Sequence, residues 1–233
     1  MQLKLFDLDK YELTNETIDR HGHILHRIRA LRDISRYDVK AGDLGGFIKS
    51  GANLSQEGDC WIGDNAYVSG NAQVYGDAHV YGNGDNAYVS GNAQVYGDAH
   101  VYGNARVCDN AYVSGNARVF GDAHVYGNAR VCDNAHVSGN ARVFGDAHVY
   151  GNARVCDNAR VSGGAYIYGS AWVHGYAQVF GDARVHDDVH VHGDAWVYGN
   201  AQVFGNAQVS GYAWIYGGAC VFTGMYTEGE ICN

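Results

Sequence analysis

From Ile62 to Val221 an apolar residue returns every six positions, Val nearly always and Ile at 62, 167 and 215, with one nine-residue step between Val80 and Val89. Ala stands two positions before almost every one of them. In extended backbone, residues two apart point to the same side, so Ala and Val face inward and the residues flanking Val face outward. Gly-Asn, Gly-Asp or Asp-Asn separates the steps, and these residues tolerate the positive φ of a tight turn. A strand of two or three residues bounded by a turn every six positions fits neither a hairpin ladder nor a helix. The pattern predicts short parallel strands wound into a coil, each coil hydrogen-bonded to the next and Val stacked on Val through a narrow core.

The repeated clause, Gly-(Asn/Asp)-Ala-x-Val-x, resembles the hexapeptide repeat of left-handed parallel β-helices. That resemblance implies an all-β, single-stranded, left-handed parallel β-helix in which three clauses make one triangular coil of eighteen residues. The left hand comes from the resemblance, because ordinary crossover connections are right-handed. About nine coils spaced by ~4.8 Å make a prism about 43 Å long. Upstream, the run Val39 to Ile48 (VKAGDLGGFI) and Asn53-Leu54-Ser55 resemble the opening of bacterial and phage hexapeptide-repeat proteins often labelled transferases. The organisation expected is a small N-terminal β cap over residues 1–38, the β-helix over 39–222 and a C-terminal tail over 223–233. Within the cap, Lys4-Leu5-Phe6, Lys10 to Thr14 and Ile24 to Leu31 read as strands, with Arg20 to His23 as a turn. An open solenoid end exposes strand edges and core, which a cap covers.

Two duplications are written into the repeat. Residues 63–83 and 84–104 are the same 21 residues twice, and because 21 is not a multiple of six, Tyr81 to Asn86 is expected to bulge outward at a corner. Asp85 to Cys156 is a 24-residue unit three times over. Twenty-four residues are one and a third coils of eighteen, so each copy moves its outward residues onto the next face. Cys108, Cys132 and Cys156 are therefore expected on three different faces, as are Arg106, Arg130 and Arg154, while the inward Val residues stay aligned. A spacer tolerates such a redistribution of its surface, whereas a continuous row of ligand contacts does not.

Composition adds limits and candidates. Pro is absent and Gly numbers 33, as an uninterrupted ladder with many tight turns requires. A net charge of −9 gives no general affinity for nucleic acid. No apolar run has the length of a membrane span or a signal peptide, so a cytoplasmic protein is expected. Cys60, Cys220 and Cys232 show no metal-ligand spacing, and Cys108, Cys132 and Cys156 fall on separate faces out of reach of one another, which predicts free thiols. Phe180, Trp196, Tyr198, Trp214 and Tyr216 fall on one face in successive coils and are expected to form the interface of a homotrimer. His174, His190 and His192 share another face and are candidates for a metal site, with His192 or His174 a candidate general base. Columns such as Arg106-His124-Arg142-Arg160 offer a place for a small anionic or nucleotide-containing ligand between subunits.

Two functional readings follow. One is a non-catalytic structural or binding solenoid acting as a homotrimer, with no cofactor. The other, implied by the resemblance, is an acyl-CoA-dependent O- or N-acyltransferase with sites between subunits, acyl-CoA as cosubstrate, and His192 or His174 deprotonating the acceptor.

Overall fold

A computed structural model describes residues 9–20, 22–82 and 87–233. Each six-residue step forms one short strand, and strands eighteen residues apart pair in parallel. Arg106–Val107 pairs with His124–Val125, which pairs with Arg142–Val143. Three sheets result, the faces of a prism of about ten turns, and among the described residues there is no α-helix. The chain is an all-β parallel solenoid, fitting a single-stranded β-helix. The inward Ala and Val residues of the trunk, Ala135 and Val137 for example, are fully buried. Each buried Val is worth about 1.5–3 kcal/mol relative to an exposed one.

The nine-residue step leaves this core intact. The two identical 21-residue segments lie one on the other, pairing Val68 with Val89, Val74 with Val95 and Val80 with Val101. Tyr81 does not leave the ladder as expected: it pairs with Tyr102, and their rings stack at 5.0 Å. Identical sequences stacked in register favour one further rung, so both strands run three residues, His79–Tyr81 and His100–Tyr102. The rest of the expected bulge, residues 83–86, lies outside the described residues, as does the expected strand Lys4–Phe6.

At the N-terminal end, β1 (Tyr11–Arg20) and β2 (His23–Ala30) form an antiparallel hairpin. β2 pairs antiparallel with β3 (Leu44–Ile48), and β3 pairs in parallel with Tyr67–Val68. The hairpin thus prolongs one face beyond the first coil, and Tyr11, Ile28, Ala30 and Ile34 join the core. Gly45 and Gly46 make this junction possible, since a Cβ on either would sit 2.5 Å or 2.3 Å from the carbonyl oxygen of Ile62 or Ala66. A 3-10 turn, Ser35–Tyr37, then crosses onto a second face. Arg36 bridges Asp77 and Asp98 on successive coils, and the Tyr37 hydroxyl donates to the Asp77 carbonyl.

At the other end the six-residue step shortens. Met225–Tyr226 pairs with Gln208–Val209, and Glu230–Ile231 pairs with Trp214–Ile215. Tyr226 and Ile231 pack partly buried against the terminal core.

Candidate functional site

The turns set which surface positions are available. Most corners carry Gly at positive φ followed by Asn or Asp, and the amides hydrogen-bond from coil to coil, as in Asn92 to Asn110 at 3.0 Å and Asn110 to Asn128 at 3.1 Å. Another corner carries Asn104 to Asp122 at 2.9 Å and Asn140 to Asn158 at 3.3 Å. Beyond Asn158 this corner changes character. Tyr176 and Tyr212 occupy the slot held by Asn or Asp in the coils before and between them, and they stand 62% and 73% exposed.

The face that follows this corner carries the aromatic residues expected from sequence. Gln178, Trp196 and Trp214 align in the ladder, and the two indoles stack at 5.3 Å with their planes 11° apart. On the far side of the inward row, Phe180 stacks on Tyr198 at 4.9 Å and Tyr198 on Tyr216 at 5.1 Å. Phe180 also meets Trp196 edge-on at 6.0 Å, which joins the two stacks. The Tyr216 hydroxyl donates to Glu230 Oε2 at 2.7 Å. That bond, followed by the influence of Cys232, pushes the phenol up, so it stays neutral. Between the Trp row and the Tyr176–Tyr212 corner runs a groove of about 610 Å³, with Arg160 and Asp194 among its walls. Trp214 is 38% exposed within it.

The two tyrosines were absent from the sequence-based set because their slots read simply as turn. The signal was present all the same: a large aromatic in a position that elsewhere takes Asn, Asp, Ser or Gly.

The histidines lie on another face. His174 and His192 stack at 4.9 Å with planes 11° apart, Trp172 packs on His174 at 4.5 Å, and His190 lies 5.5 Å from Trp172. Burial first, then the neighbouring His192, lowers the His174 imidazole, against a weaker opposing pull from Asp157 Oδ2 at 3.8 Å. Parallel stacked rings set nitrogen beside nitrogen and do not converge them on a point. The metal expectation for His174, His190 and His192 finds no support here: among the described residues no three His, Cys, Asp or Glu side chains are grouped to hold an ion.

The Arg-His columns form as expected, Arg106, His124, Arg142 and Arg160 on one face and His100, Arg118, His136 and Arg154 on another. Burial and then the flanking arginines lower His124 and His136, so each of these rings sits between two cations, while Arg142 and Arg160 are adjacent in the ladder. All six cysteines are free, and Cys108, Cys132 and Cys156 follow strands of three different sheets.

Seven segments, residues 93–109, 111–127, 123–139, 135–151, 153–169, 177–193 and 201–217, match the family described as the YdcK Beta solenoid repeat. No curated protein sequence matches the chain. The matched repeats agree with the fold: this is a β-solenoid repeat protein. Phe180, Tyr212, Trp214 and Tyr216 lie within matched segments, whereas Tyr176, Trp196 and Tyr198 fall between them.

Proposed function

We propose that the protein is a non-catalytic scaffold: a rigid solenoid trunk that assembles as a homotrimer through its distal aromatic face. The observation that carries this reading is the joining of two aromatic rows around one corner, Trp196 and Trp214 on the face and Tyr176 and Tyr212 on the turn. Rings of this size left in water at neighbouring positions form an apolar patch of the kind that marks an interface, where Trp and Tyr dominate the energetics. A patch that wraps a corner has two unlike halves. Contacts between unlike halves are heterologous and form a ring where the rotation between copies closes, for which a threefold suits a three-sided prism.

The acyltransferase reading rests on His174 and His192. Their mutual stacking under Trp172 serves packing as well as it would serve chemistry, so the scaffold is the reading favoured by the geometry.

Light scattering tests the assembly. The wild type is expected at three times the chain mass at micromolar concentration, and Trp196→Arg plus Trp214→Arg at the monomer mass with an unchanged circular-dichroism spectrum. A monomeric wild type overturns the proposal.

A further inference from the structure

Lysine is rarely found fully buried without a partner, yet Lys10 is fully buried at the mouth of the solenoid. Its Nζ lies 3.0 Å from the Sγ of Cys60, which is also fully buried, and donates to the carbonyls of Glu57 at 3.3 Å and Gly58 at 3.5 Å. These contacts join the start of the N-terminal hairpin to the chain entering the first regular strand. The surrounding bonds hold the pair in place, since the backbone N–H groups of Lys10 and Tyr11 both donate to Gln56 Oε1, at 2.8 Å and 3.3 Å. The sulfur sits directly behind the wall of a cavity of about 330 Å³ lined by Ser55 and Gln56, with the Ser55 carbonyl oxygen 3.7 Å from Sγ.

We propose that Lys10 and Cys60 form a peroxide-dependent modification site, in which Nζ and Sγ become covalently joined and lock the hairpin to the first coil. Burial lowers the amine and raises the thiol, which moves each toward its neutral form. In that form the amine, 3.0 Å from Sγ, is the base that the thiol needs. Lys10 takes the Sγ proton, and the thiolate attacks one oxygen of hydrogen peroxide, breaking the O–O bond and expelling hydroxide. The ammonium returns its proton to that hydroxide as water, leaving a sulfenic acid beside a neutral amine. The Nζ lone pair then attacks sulfur and the S–O bond breaks. The departing hydroxide takes one proton from nitrogen as a second water. One peroxide is reduced to two waters, and the sulfenamide N–S bond carries the oxidation.

A covalent bridge between residues fifty positions apart restricts the unfolded chain much as a disulfide does. Its effect is expected to be largest at the cap, whose other ties to the trunk include the β2–β3 ladder, the Arg36 contacts and the hydrogen bond from the Tyr11 hydroxyl to the Leu54 carbonyl.

The test is mass spectrometry of the full chain after hydrogen peroxide, with unfolding and alkylation of remaining thiols. The expected product carries five alkyl groups in place of six and is a further ~2 Da lighter, a change that dithiothreitol reverses. A disulfide would leave four alkyl groups, and the digest locates the link: trypsin should fail to cut after Lys10, and one cross-linked peptide should contain both Lys10 and Cys60. That species should be missing from Lys10→Gln and Cys60→Ser. The wild-type unfolding midpoint should rise by roughly 5 °C on oxidation and fall back on reduction. The proposal is overturned if Cys60 is alkylated in full after peroxide, if it is recovered as sulfinic or sulfonic acid with Lys10 cleaved normally, or if the link forms only in denatured protein.

Discussion

At the scale of single residues, the aspartates that replace turn glycine are the most informative. Asp109, Asp133, Asp157 and Asp187 all take φ near 60°, a conformation that costs a side chain about 1–2 kcal/mol. Each offsets that strain by accepting, through Oδ2, the N–H of the glycine eighteen residues on, as Asp133 does from Gly151 at 3.1 Å. Asp133→Gly removes bond and strain together and should leave stability within about 0.5 kcal/mol, whereas Asp133→Ala keeps the strain and should cost about 1 kcal/mol or more. Urea denaturation separates the two, and equal losses would refute this balance. His79 gives a second prediction. It lies under Tyr37 with ring centroids 4.1 Å apart, beside Tyr81 at 4.3 Å and His100 at 6.0 Å. Burial, then the charge of His100, pushes its imidazole from an ordinary 6.5 down to about 3. The unfolded chain takes up a proton below 6.5 that the folded chain refuses until about 3, so this contribution is complete above 6.5 and is lost as pH falls toward 3. His79→Gln should therefore lose less thermal midpoint than wild type between pH 7 and pH 4. Parallel losses would show that His79 is not the group responsible. Residue-level legibility was uneven for a physical reason. The inward Val positions announce themselves because nothing else fits a narrow core, whereas a turn slot accepts many residues. Tyr176 and Tyr212 sit in such slots, and only their exposure sets them apart from ordinary turn residues.

At the scale of elements, the strands are too short to be stable alone, and each is held by the coils on either side. Arg142 shows the dependence: its side chain points outward, but its N–H donates to the Ala159 carbonyl at 3.0 Å. Arg142→Pro should break the ladder in mid-trunk and cost about 3 kcal/mol or more, with protease cleavage appearing near the site. A variant as resistant as wild type would mean that the coils do not depend on an unbroken ladder. The 24-residue unit has an element-level consequence too. A unit of eighteen residues would stack Asp109, Asp133 and Asp157 in one column, like charge on like charge. A unit of 24 sends them to three corners, each above and below glycine, and a Cβ added to Gly115 would come within 2.8 Å of the Asp133 nitrogen. The period of the repeat was legible in the sequence. The cap was legible as short strands, but its pairing was not, because the contact of β3 with Tyr67–Val68 depends on the bare backbone of Gly45 and Gly46 and not on any periodic pattern.

At the scale of the whole molecule, the proposed interaction surface is expected to be separable from the trunk. Duplication built the trunk by copying a unit that preserves the core register, and the aromatic face lies beyond Arg160, where the copies have diverged. Deleting Asp109 to Cys132 joins Cys108 to Asp133 and leaves Val107 and Val137 six positions apart. The prism should shorten by about 6 Å and turn everything before the junction by one face relative to everything after it. Light scattering of this deletion variant, with circular dichroism to report the fold, is the most direct test that the assembly surface is confined to the distal coils. A folded trimer of correspondingly lower mass is the result expected. A folded monomer would mean that the contacts run along the trunk, and an unfolded chain would contradict the six-residue register on which the whole architecture rests.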